Sequence, residues 1–429
     1  MSAPETTDPA SAIPVGGTLL HVGMPKSGTT AIQFAAAKLR KELTEFSVIY
    51  PGKSHNHSLA SFAIAKRRRG WGTGAGKAAI PPMSHWHDLV AEARAAKESD
   101  RVLISHEFFA ERTEAICRTI ANDLGPNLSV VFTLRNQPSI LPSAWQEYLK
   151  TGIEESFEEW LDVVLRPGPD SKAFPSFARR IALYENIAKW SEIVGPDNTH
   201  VIVLDRTNRS LLHRSFEQLL GLPADTLDVE LTGREENRSL TRPEADAVRA
   251  VNERLKQVSD IRWDEFRDLH KFGGIAELLV ERKVPSGEPP IVAPRWAAQH
   301  MSVRAEQQAA QIQALGVHVI GDLANLSSMP PALPEATSPC AEVNVAIAAH
   351  LETGSFKAGQ RYMKAARAAK SSGGEELVRH ALTAGHKSTT DAERIKAAAA
   401  LTATVPTRVL IKIATKRVAR ILKAKLRRR

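Results

Sequence analysis

The sequence is poor in cysteine and in long apolar runs, and each shortage excludes something. Two cysteines in 429 residues, Cys117 and Cys340, lie far apart and match no metal-ligand spacing. So few thiols exclude a disulfide framework, and a reducing compartment is the simplest setting. No stretch approaches the run of about 18 apolar residues that a membrane-spanning helix needs. Residues 1–17 hold Glu5, Asp8 and three prolines, with neither a basic start nor an apolar core. That is not the pattern of a secretory leader. It predicts a disordered N-terminal tail on a cytoplasmic protein.

Acid is missing from one end only. The formal net charge is +9, yet residues 408–429 alone contain ten Lys or Arg and no Asp or Glu. The rest of the chain is close to neutral, so the basicity belongs to the tail and says little about what the body binds. Apolar residues make up 43% and charged residues 24%, ordinary values for a globular chain, and the length suits one large domain with additions.

What is present is concentrated in Gly23-Met24-Pro25-Lys26-Ser27-Gly28-Thr29-Thr30. Before it, Thr18 to Val22 has the length and apolarity of a strand; after it, Ala31 to Leu39 is alanine-rich and helical in character. Strand, glycine loop and helix make a phosphate cradle, because glycines let successive N–H groups and a helix N-terminus converge on one anion. The spacing opens like a nucleotide P-loop. Thr29-Thr30, however, stand where a Walker loop has Lys-Ser/Thr, and the cation comes three positions earlier at Lys26.

Further strands are predicted at 46–50, 101–104, 130–134, 200–204 and 317–320. In open parallel sheets, ligands lie beyond the carboxyl ends of strands. The cradle, Ser105-His106-Glu107 and Arg135 all follow such ends, so they converge despite their separation in sequence. His55-Asn56-His57 follows another. Asp205 closes the strand at 200–204, and Lys66-Arg67-Arg68-Arg69 opens a glycine-rich loop. Helices are predicted over 184–194, 211–220, 242–258 and 294–315.

The strand-PKSGTT-helix unit resembles the 5′-phosphosulfate loop of the sulfotransferases, which take a sulfuryl group from 3′-phosphoadenosine 5′-phosphosulfate (PAPS). Arg135 with Ser143 eight residues later is similar to the family's 3′-phosphate pair. The resemblance covers about residues 18–326 and is sharp at 23–30 and 135–143. It implies an α/β fold, a P-loop-like parallel β-sheet flanked by helices. It also implies PAPS as co-substrate, held by Pro25, Lys26, Ser27, Gly28, Thr29, Thr30, Arg135 and Ser143, with no metal required. The acceptor would be a hydroxyl or amine of a carbohydrate, glycolipid or lipid-linked precursor. Lys26 would neutralise the leaving phosphate. Glu107 is the first choice of general base and His106 the second, with His57 also in reach. Pro142 departs from the pattern and is expected to disturb the geometry near Ser143. A P-loop kinase, with Asp205 imitating a Walker B aspartate, and an inactive membrane-associated scaffold stay open as alternatives.

The domain reading is a tail at 1–17, a sulfotransferase-like domain at 18–326, a proline-rich linker at 327–340, an accessory helical module at 341–403 and a basic amphipathic helix at 404–429. A helical hairpin, like a single tetratricopeptide unit, is expected over 343–369. In the tail, Lys412, Lys416, Arg420, Lys423 and Arg427 line one helical face opposite an apolar one. An anionic membrane surface is the expected partner and nucleic acid the weaker one, which places the protein peripherally on the inner face of the membrane. Nothing in the sequence specifies an oligomeric state.

Overall fold

The structure, a computed structural model, describes residues 12–70, 77–168, 174–229, 238–257, 261–340 and 342–372. Among them, β1 (Thr18–His21), β2 (Val48–Ile49), β3 (Arg101–Ser105), β4 (Leu128–Leu134), β5 (Thr199–Val203) and β6 (His318–Ile320) form one sheet. Its order is β2-β3-β1-β4-β5-β6, and every neighbouring pair is parallel. This is the expected α/β class.

The strands are short apolar runs because both faces of the sheet are covered. On one face Leu20, Val130, Phe132, Leu134, Val201 and Val203 pack with Trp86, Ile120, Ile187, Trp190 and Ile312 from helices. On the other, Leu19, Leu103, Val131 and Ile202 pack with Ile32, Ala36, Phe216 and Leu219. Alternate residues of each strand serve opposite cores, the period of two that a pleated strand imposes. The chain runs from β1 to β2 and β3 on one side, then crosses to β4 on the other. The carboxyl end of β1 is therefore the switch point, where a crevice opens.

Three expectations need correction. Residues 12–17 are anchored to the body: Ile13 is buried, its amide donates to the Leu219 carbonyl at 2.9 Å, and its own carbonyl accepts from Arg101 Nε at 2.8 Å. The remainder of the expected tail, 1–11, lies outside the described residues. Pro142 leaves its surroundings undisturbed, because it falls in the first turn of the helix Leu141–Leu149, where a missing N–H breaks no intrahelical bond. The expected hairpin is one continuous helix, Val345–Ser372.

The chain divides into two units, Met1–Phe266 with Leu279–Ala348, and Arg267–Leu278 with Ala349–Arg429. Within the second, Gly354 makes no turn. A Cβ there would collide with the Gly273 carbonyl and the Glu277 side chain, so the glycine permits close packing of two segments. Lys357 Nζ adds an ion pair to Glu277. The rest of the accessory module and the amphipathic helix at 404–429 lie outside the described residues. Among those described, no helix is long and apolar enough to cross a membrane.

Candidate active site

The glycine loop joins the end of β1 to the helix α1 (Thr29–Lys38). Gly28 is its N-cap at φ 79°, a conformation open to glycine at little cost, and no side chain caps the helix. The Ala31 amide donates to the Gly28 carbonyl at 3.0 Å, and no side chain caps the amides before it, as an anion site requires. Lys26 holds φ 70° without being glycine, a strained backbone at the centre of the loop.

The loop is fixed from beneath. Ser27 is fully buried; its amide bonds the Met24 carbonyl, and its hydroxyl lies against that carbonyl and 2.8 Å from Thr133 Oγ1. What Ser27 supplies as placed is therefore loop shape. Thr29 is also buried, while Pro25 and Thr30 are partly open.

Beside the loop lies a cleft of about 250 Å³, lined by Lys26, Gly28, Arg135, Asn136, Asp205, Arg206 and Arg209 among others. Arg135, just past β4, donates from Nη1 to the Lys26 carbonyl at 2.9 Å, so a residue 109 positions away clamps the loop. Burial and the neighbouring Arg206 both push its pKa down, the mark of a cation held close to another cation. Asp205 caps its own turn, its Oδ1 accepting from the amide and hydroxyl of Thr207, both at 2.8 Å. Ser143 donates to the Ile140 carbonyl at 2.9 Å and is not among the residues lining this cleft. The sequence reading also missed Glu147. Its Oε1 lies 2.7 Å from Lys26 Nζ and 3.1 Å from Lys150 Nζ.

A second group lies past β3. Glu107 accepts from Gln33 Nε2 at 3.4 Å, and Gln33, on α1, also donates to Ser105 Oγ at 3.3 Å. Burial alone would raise the Glu107 pKa; His106, the local backbone, Gln33 and Arg180 outweigh it and hold the carboxyl below its ordinary range. With its side chain 24% exposed, Glu107 is an ionised carboxylate that reaches solvent. His106 is placed differently. It is 3% exposed, packed against Phe62, Phe108 and Phe109, with Nδ1 accepting from the Phe108 amide, and burial pushes it down to about 4.

His57 has both ring nitrogens engaged. Nδ1 accepts from the Ser105 amide at 2.9 Å, and Nε2 bonds the Pro51 carbonyl at 2.9 Å. It braces the strand end. The sequence reading also passed over His21, whose Nδ1 meets Ser105 Oγ at 2.9 Å and whose Nε2 meets Thr133 Oγ1 at 3.2 Å. Since Thr133 then meets Ser27, a buried polar chain crosses β3, β1 and β4 and ends under the cradle. A histidine closing an otherwise apolar strand was the available signal. In the Arg238-Ser239-Leu240 segment, Arg238 forks onto buried Glu244 at 2.7 and 2.8 Å; Asn237, before it, lies outside the described residues.

No protein-family model and no curated protein matches the chain. Among solved structures, a sulfotransferase from Alicyclobacillus acidocaldarius aligns with 56% of this chain and 94% of its own, at 17% identity and a TM-score of 0.36. That likeness is too loose to decide fold or reaction, which rest on this chain's own strand order and residues.

Proposed function

We propose that the chain is a sulfotransferase that moves a sulfuryl group from PAPS to a hydroxyl or amine of a carbohydrate, glycolipid or lipid-linked acceptor. The observation that carries the reading is the clamp of Arg135 on the Lys26 carbonyl. It brings Arg135, Lys26 and Gly28, the N-cap of α1, to one cleft. Those groups suit a nucleotide with phosphates at two positions: amides and Lys26 for the 5′ side, Arg135 for the 3′ side. Thr29, where a Walker loop places lysine, is buried, and Asp205 caps its own turn; both features weigh against a kinase.

In the proposed reaction the acceptor O–H bond breaks as its oxygen bonds to sulfur, and the sulfur–oxygen bond to the nucleotide phosphate breaks in line. The proton goes to the Glu107 carboxylate, and 3′-phosphoadenosine 5′-phosphate leaves. Charge grows on the departing phosphate, where Lys26 and the loop amides would receive it, and preorganised donors at such a point are the largest source of rate. The neutral, ring-packed His106 positions the strand end beside Glu107. The cationic stripe at 408–429 supports an acceptor at an anionic membrane surface. Incubation with PAPS labelled in sulfur and an envelope lipid and glycan extract tests the reading. Label transferred to extract components, and lost in Lys26→Ala, supports it; label that stays on nucleotide under all conditions opposes it.

A further inference from the structure

Beside Glu107, rings and guanidinium groups alternate in one column. Arg112 lies over the Phe62 ring at 5.5 Å, Phe62 meets Phe108 edge-on at 5.2 Å, and Arg180 sits 5.0 Å from Phe108 and 5.4 Å from Tyr148. Phe108 follows Glu107 in sequence, and Tyr148 follows Glu147. The column therefore links the segment carrying the base to the helix that holds Lys26.

Its charges are not balanced from within. Arg112 is 3% exposed, yet its Nε and Nη1 are buried without a hydrogen-bond partner, as is Nε of Arg180. Glu111, the adjacent carboxylate, is already shared by Arg67 at 3.7 Å and Arg179 at 3.2 Å. Arg67, Arg112, Arg179 and Arg180 thus outnumber Glu107 and Glu111. A purely architectural stack explains the rings. It explains neither the surplus cations nor the unpaired donors, since buried charged donors left without acceptors are strongly disfavoured.

We propose that this column is an acceptor subsite for an anion. The acceptor carries a carboxylate, phosphate or sulfate ester near the group to be modified, and Arg180 pairs with it. The inference rests on the sulfotransferase reading for the word acceptor. Arg180 is the contact because it is half-buried and flanked by two rings that hold its plane, so pairing freezes little new freedom. Sealed beneath, Arg112 adds positive potential. Arg180 also adds, after His106, the local backbone and Gln33, to what keeps Glu107 ionised, so it serves both recognition and the base.

Calorimetric titration of the full chain, with and without saturating 3′-phosphoadenosine 5′-phosphate, tests this with three probes: a heparosan tetrasaccharide, glucose 6-phosphate and neutral maltotetraose. At least one charged probe should bind about tenfold tighter than maltotetraose, the worth of one charge-assisted pair. Preference for the tetrasaccharide identifies a carboxylate, and preference for the sugar phosphate identifies a phosphate. Arg180→Gln should erase the difference at unchanged nucleotide affinity, and Arg180→Lys should restore part of it. Equal affinities, no binding of any probe, or a preference that survives Arg180→Gln overturns the proposal. Absent nucleotide binding with an intact anion preference sinks the donor assignment instead, because the nucleotide-free arm reads the subsite by itself.

Discussion

Lys26 and Glu147, 121 residues apart, form an ion pair of 2.7 Å beside the glycine loop. A donor phosphate would compete with Glu147 for the same ammonium. Both side chains are partly exposed, so the pair is worth only about 1 kcal/mol. Glu147→Gln should therefore tighten the bisphosphate nucleotide about fivefold. Calorimetry on the two proteins checks this, and weaker binding in the variant would show that Glu147 instead holds Lys26 in its useful position.

Glu107 must be ionised to accept a proton, and its carboxyl is held below the ordinary carboxylate range. Turnover should then be insensitive to carboxylate titration near neutrality and fall only as the medium becomes more acid than that range. Glu107→Gln should reduce kcat by about 10²- to 10⁴-fold with little change in nucleotide affinity. A kcat profile against pH in both proteins checks this; an acid limb near pH 6.5 would point to a histidine.

Stability should depend on pH through the buried histidines. Burial pushes His21 down to about 3, and His57 and His106 down to about 4, from the ordinary 6.5. Between those values the unfolded chain binds protons that the folded chain refuses, so stability is full above pH 6.5 and drains away as pH falls toward 4. Each histidine contributes on the order of 3 kcal/mol across that window. Urea midpoints at pH 7.5, 6 and 5 should decline steadily, and His57→Gln should flatten the slope. Equal midpoints at the three pH values would contradict the account.

Glu244 is fully buried and receives Arg238 through two nitrogens and Arg282 at 2.8 Å. Removing that charge takes away the carboxylate the two guanidinium groups share, leaving Arg282 to Glu288 and Arg238 to the Leu279 carbonyl. Glu244→Gln should cost about 3 kcal/mol. The urea midpoint reads the loss, and a change under about 0.5 kcal/mol would assign the pair no structural weight.

Much of this was legible in the sequence because most strands of the sheet lie in local apolar runs. The cradle and Arg135 could be placed past strand ends without knowing how the strands are ordered. Glu147 and the chain from Ser105 through His21 and Thr133 to Ser27 could not, because they depend on β1 lying between β3 and β4. Burial separates Glu107 from His106, the first and second choices of base, and two adjacent residues on a loop do not reveal it. The hairpin expected over 343–369 is one helix, because a tetratricopeptide-like spacing of small and apolar residues suits a single long helix as well; Gly354 there meets Gly273 and Glu277.

The most direct measurement is a thermal-shift titration with 3′-phosphoadenosine 5′-phosphate against ADP, both in chelator, on the native chain, Lys26→Ala and Arg135→Ala. Binding at about 100 times the dissociation constant stabilises by about 2.7 kcal/mol, an easily read shift. The account predicts stabilisation by the bisphosphate alone, reduced in both variants. A shift with ADP of equal size, or none with the bisphosphate, would contradict it.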